Sequence, residues 1–140
     1  MIHNLDFVSE LLGVPLEVKA SGIEQKNSHV YATLIYKDAT AMIEATSLLP
    51  SKAPFQIGFN IIFEKGSLRF SGEYGHEVSE KMHLFTSDKA NSVDIPGRNE
   101  YEVLIQKVIN SIRNDTSIPG LSLEAAGNAI TIADAIMGAI

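Results

Sequence analysis

Phe55-Gln56-Ile57-Gly58-Phe59-Asn60-Ile61-Ile62-Phe63 is the stretch whose pattern decides the fold. Successive side chains of a strand point to opposite faces. Phe55, Ile57, Phe59, Ile61 and Phe63 therefore share one face, and Gln56, Gly58, Asn60 and Ile62 share the other. A large apolar side chain that is fully buried contributes roughly 1.5–3 kcal/mol. Five on one face fix the register, because a slip of one residue would turn all of them to the wrong side.

Working outward, Glu64-Lys65-Gly66 reads as a turn into a short strand, Ser67 to Phe70. Gly72 to Ser79 reads as a loop, Lys81 to Thr86 as a strand, and Ser87 to Gly97 as irregular. Toward the amino terminus, Thr40 to Leu49 and His29 to Lys37 read as strands, joined by a hairpin at Lys37-Asp38-Ala39-Thr40. Gln25 to Ser28 is a polar turn. Leu16, Val18 and Ala20 alternate with Glu17, Lys19 and Ser21 in a further half-buried strand.

Helical spacing appears at both ends of the chain. Leu5, Val8, Leu11 and Leu12 predict a short helix from Asn4, its N-cap, to a stop at Gly13. After the strands, Tyr101, Leu104, Ile105, Val108, Ile109 and Ile112 form a stripe on a helix capped by Asn99, with Glu102 at capping-box spacing. Ser122 caps a last, Ala- and Gly-rich helix whose apolar positions include Leu123, Ala126, Ala129, Ile130, Ala133, Ile136 and Met137. Helices set apart from a block of strands predict an α+β fold: an open, mostly antiparallel mixed sheet with helices on one face.

Composition narrows the function. The 140 residues suit one domain, and 45% hydrophobic with 20% charged residues is an ordinary globular balance. A formal net charge of −6 with scattered basic residues gives no phosphate-binding face, so no nucleic-acid partner is expected. No apolar run reaches the ~20 residues of a membrane span, so no membrane partner is expected. The absence of cysteine excludes disulfides and thiolate chemistry and fits the cytoplasm. On the sheet's second face, Tyr31, Thr33, Ile35, Met42, Thr46 and Ile62 mix with polar groups. That face reads either as a homo-oligomer interface or as a half-solvated surface.

Several motifs, taken in order, carry a resemblance. Ile2-His3-Asn4-Leu5-Asp6 leads into a helix ending Leu12-Gly13, followed by Pro15, Val18 and Ala20. Ile43-Glu44-Ala45 with Pro50, then Glu64-Lys65-Gly66-Ser67-Leu68, then Pro119-Gly120 before the last helix complete the series. Together they resemble the carboxy-terminal domain of the glucose–fructose oxidoreductase / inositol dehydrogenase (Gfo/Idh/MocA) family, across essentially the whole chain. The resemblance implies that residues 1–140 form one substrate and oligomerisation domain. In the full-length parent this would follow a Rossmann domain absent from this chain. It implies a sugar, cyclitol or related polyol as substrate, and NAD or NADP as the parent's cofactor. No cofactor-binding residue is assigned here, since no Gly-x-Gly-x-x-Gly follows a strand. The isolated chain is expected to be inactive. A non-catalytic binding or oligomerisation module of the same fold is the alternative.

The resemblance makes His3 the catalytic candidate. Oxidising an alcohol needs a base for the hydroxyl proton, and an imidazole titrates near working pH. Asp6, one turn later on the same helix face, is a substrate-binding candidate that could orient His3 or accept a substrate hydroxyl. Equally, it is a carboxylate that suits a helix start. Phe55 falls where the family lines its sugar pocket, but a phenyl ring donates no hydrogen bond and core packing competes. His76, Glu80 and His83 do not read as a metal set, because the segment is not one helix that would make them converge.

Overall fold

A computed structural model describes residues 1–23, 28–97 and 99–140. The turn read over 25–28 therefore lies, except for Ser28, outside the described residues. In chain order the elements are α1 (Ile2–Leu12), β1 (Glu17–Gly22), β2 (His29–Ile35), β3 (Thr40–Thr46), β4 (Phe55–Phe63), β5 (Gly66–Tyr74), β6 (Val78–Thr86), β7 (Ala90–Val93), α2 (Glu100–Asn114), a short 3-10 turn (Pro119–Leu121) and α3 (Leu123–Ala139). The class is α+β. The strands, read from sequence as one layer, form two sheets: β1-β2-β3 and β4-β5-β6-β7. Every described pairing is antiparallel. The break falls between β3 and β4, where Pro50 and Pro54 offer no N–H to a ladder. Residues 50–53 turn there instead, with the Ala53 N–H donating to the Pro50 carbonyl at 2.8 Å.

The chain divides into two units, Met1–Leu49 with Val103–Ile140, and Pro50–Glu102. The first unit holds the buried core. On the three-stranded sheet, Val30, Ala32 and Leu34 of β2 and Ile43 of β3 face inward, with Val18, Ala20 and Ala41 beside them. Leu5 of α1 and Ala129, Ile132 and Ile136 of α3 complete the cluster. Two helices, α1 and α3, thus cover one face of this sheet, while the stripe predicted on α2 is exposed, Ile112 to 76%. Its other face carries Tyr31, Thr33, Met42 and Glu44.

In α3, a helix apolar on most sides, periodicity chose imperfectly. Ile132 is buried, while Leu123 is 94% exposed and Ile130 and Met137 are also exposed. Ser122 caps α3 as read, accepting from the Ala125 N–H at 3.0 Å. Asn99 Oδ1 likewise accepts from the backbone of Tyr101 at 3.0 Å and of Glu102 at 3.4 Å. The expected Asn4 cap is overturned. The first helix already starts at Ile2, Met1 holds the cap position, and Asn4 lies inside the first turn.

The second unit is a four-stranded meander in which Phe55, Phe59, Ile61, Phe70, Met82 and Leu84 share one face. The face was assigned correctly, but its burial was not. Phe59 and Ile61 are half-buried, and the end residues Phe55 and Phe63 are 65% and 56% exposed. Most of the segment read as a loop at 72–79 is strand. Tyr74 explains this. Its ring lies 2.8 Å from where a side chain on Gly72 would begin, and its hydroxyl donates to Glu80 Oε1 at 2.5 Å. Because Gly72 and Glu80 are cross-strand partners, the tyrosine covers the bare glycine and ties β5 to β6. Likewise Ala90–Val93, inside the stretch read as irregular, pairs with β6.

Candidate functional site

The first helix supplies the candidate site and is fixed from below. Leu5 is fully buried and Ser9, one turn on, is 8% exposed. The Ser9 hydroxyl donates to the Asp6 carbonyl at 2.9 Å, so a small hydroxyl residue sits in the seam with its polar group satisfied. Gly13 ends the helix with φ 76°, a conformation costly for a side chain, and its N–H donates to the Ser9 carbonyl at 2.9 Å.

With Leu5 and Ser9 inward, helical geometry turns positions 3, 6, 7 and 10 outward. His3 and Asp6 are both exposed, one turn apart on that stripe. Two residues missed by the sequence reading continue it. Phe7 is partly exposed, and the Glu10 carboxylate rests against Gly120, with Oε2 3.2 Å from where a Cβ would lie. The spacing i, i+3, i+4, i+7 from His3 was the available signal. The imidazole stands in the first turn of α1.

Phe55 lies on β4, in the other unit, with its ring 6.0 Å from that of Tyr74. It is 65% exposed. Glu80 and His83, three apart on β6, point to opposite faces of the sheet, and His76 is in the turn before that strand. Among the described residues no group of three His, Cys, Asp or Glu side chains is placed to hold a metal.

An open, mainly apolar concavity of about 310 Å³ lies in the first unit between residues 14–18 and α3, lined by Val14, Leu16, Val18, Thr131, Ile132 and Ala135 among others. It includes neither His3 nor Asp6. A dinucleotide's phosphates need a turn between a parallel strand and a helix amino end. With every described pairing antiparallel, this chain's residues do not fit that role.

No family model and no curated protein sequence matches the chain. Solved structures do. The fold is that of a domain found in oxidoreductase chains, and three examples define it. UDP-N-acetylglucosamine 3-dehydrogenase GnnA from Acidithiobacillus ferrooxidans matches 100% of this chain and 45% of its own, with 16% identity and a TM-score of 0.73. The yvaA protein of Bacillus subtilis matches 99% of this chain and 48% of its own, with 21% identity and a TM-score of 0.70. Biliverdin reductase from Synechocystis sp. PCC 6803, solved with biliverdin and NADP+, matches 99% of this chain and 44% of its own, with 15% identity and a TM-score of 0.69. The chain spans about half the length of the solved chains it matches. This agrees with the resemblance to the Gfo/Idh/MocA carboxy-terminal domain. Among the described residues no helix is long and apolar enough to cross a membrane.

Proposed function

We propose that the chain is the substrate-side domain of an NAD(P)-dependent oxidoreductase acting on a sugar, cyclitol or related polyol. In the parent it follows a Rossmann nucleotide-binding domain. The observation that carries this reading is the exposed His3 in the first turn of a helix anchored by buried Leu5, in a fold shared with about half of each oxidoreductase chain above. His3 accepts the alcohol's hydroxyl proton at an imidazole nitrogen. Asp6 accepts a hydrogen bond from a neighbouring substrate hydroxyl. A dinucleotide would supply the hydride acceptor, and no residue of this chain is assigned to hold it. The outer face of the three-stranded sheet, with Tyr31, Thr33 and Met42, is the surface for self-association. The cysteine-free composition suits a cytoplasmic enzyme.

The test uses the full-length parent. His3→Asn should lower kcat by about 10²–10⁴-fold while leaving the stability of the chain unchanged. An unchanged kcat would remove His3 from the chemistry. Calorimetric titration of the 140-residue chain with NAD(H) or NADP(H) should show no tight binding, and tight binding would contradict the division of labour.

A further inference from the structure

We propose that the polar face of the four-stranded sheet binds the phosphate or diphosphate group of a small ligand, through Arg69, Lys81 and His83. The strand register sets the arrangement. Asn60, Arg69, His83 and Ser92 form one row across all four strands, and Gly58, Ser71 and Lys81 form the next. Arg69 and His83 are direct cross-strand partners, a position where side chains stand ~4.5–5.5 Å apart at Cβ. Lys81 is two residues along β6 from His83 and so on the same face. Two permanent cations and an imidazole thus share a patch one side chain wide, on a chain whose net charge is −6.

Like charges on neighbouring strands destabilise a sheet unless something neutralises them. Among the described residues the one salt bridge is Lys19 to Glu17, so neither Arg69 nor Lys81 has a carboxylate within ion-pair distance. The carboxylate within the strands on this face, Glu73, accepts instead from Gln56 Nε2 at 3.1 Å. Arg69 and Lys81 are exposed, and Asn60, Ser71 and Ser92 beside them are exposed donors. Gly58 leaves a gap in the second row. A Cβ there would lie 2.9 Å from the Phe70 carbonyl, so the close backbone approach keeps the position bare.

Phe85 completes the patch. The Arg69 guanidinium carbon stands 5.9 Å from its ring centre, and the His83 ring is also 5.9 Å away. The ring steadies the guanidinium, and a steadied planar fork matches phosphate oxygens. Charge complementarity selects an anion, and the patch's extent selects a compact one. The face turns apolar at Ile62 and Ala90 on one side and acidic at Glu73 on the other, leaving no track of cations for an acidic peptide.

The experiment is a titration of the 140-residue chain with sodium pyrophosphate, followed by amide NMR, with inorganic phosphate and acetate in parallel. Saturable shifts centred on Asn60, Arg69, Lys81 and His83 are expected, with pyrophosphate ahead of acetate. Arg69→Ala and, independently, Lys81→Ala should each weaken binding about tenfold, while Lys52→Ala should leave it unchanged. Non-saturating shifts spread over all basic residues would overturn the proposal, as would acetate binding as well as pyrophosphate. It would also fall if pyrophosphate had no effect and Arg69→Glu converted an oligomer to a monomer in sedimentation, which would give the face to a second copy of the chain.

Discussion

Leu5 and Leu11 lie on one helix and fall on the same predicted stripe, yet the structure treats them differently. Leu5 is fully buried and Leu11 is 54% exposed. Replacing each by Ala removes the same atoms and changes helix propensity equally, so the difference between the two variants isolates packing. At Leu5 the lost transfer term, about 0.8 kcal/mol per methylene equivalent, is joined by a cavity beneath α1, giving about 3 kcal/mol within the usual range of roughly 2–5. At Leu11 about half the transfer term is already lost to solvent and no closed cavity forms, so about 1 kcal/mol is expected. Urea unfolding followed by far-UV circular dichroism measures both. With a slope of about 2 kcal/mol per molar, the Leu5→Ala midpoint should fall by about 1.5 M and the Leu11→Ala midpoint by about 0.5 M. Equal shifts would refute the claim that Leu5 anchors the helix bearing His3.

Two tyrosines give further tests. Among the described residues the Tyr36 hydroxyl is buried without a hydrogen-bond partner, and burial raises its pKa. Tyr36→Phe should therefore be neutral or stabilising by up to about 1 kcal/mol in the same urea assay, and a loss above that would reveal a partner. Tyr31 donates to Glu44 Oε1 at 3.1 Å, and this hydrogen bond, with the carboxylate's charge, raises its pKa above 10.0. A raised folded-state pKa favours the native protein below the ordinary tyrosine value, and that preference disappears as pH rises through the higher one. Glu44→Gln should return the Tyr31 titration toward 10.0 in an ultraviolet absorbance titration, and an unmoved curve would show that the pair does not form in solution.

What sequence could read followed the physics of each element. Period-two alternation placed β1 and β4 and assigned their faces, because pleating is a local property. The Asn99 and Ser122 caps were legible because a short side chain bonding the next turn is also local. Burial was not legible, since it depends on what covers a face. Phe55 and Phe63 fit the same pattern as Ile61 yet remain exposed at the ends of their strand. The 72–79 region misled because its glycine reads as a breaker until Tyr74 is seen lying over it. His3 and Asp6 were found through resemblance. Phe7 and Glu10 share the helical spacing from His3, and buried Leu5 and Ser9 confirm that this side of α1 faces out. The Arg69, Lys81 and His83 patch joins residues from two strands, and register across a hairpin decides it.

The first unit is interrupted in sequence: its core needs α1 and β1–β3 from the beginning of the chain and α3 from beyond residue 122. On the ribosome, Leu5, Leu34 and Ile43 emerge long before Ile132 and Ile136. At roughly 5–20 residues per second the early half waits several seconds with its apolar side bare. The intervening meander, whose neighbours in space are all neighbours in sequence, can zip up during that interval and shorten the span that must close. Nascent chains stalled before α3 should therefore be the species that chaperones hold most tightly.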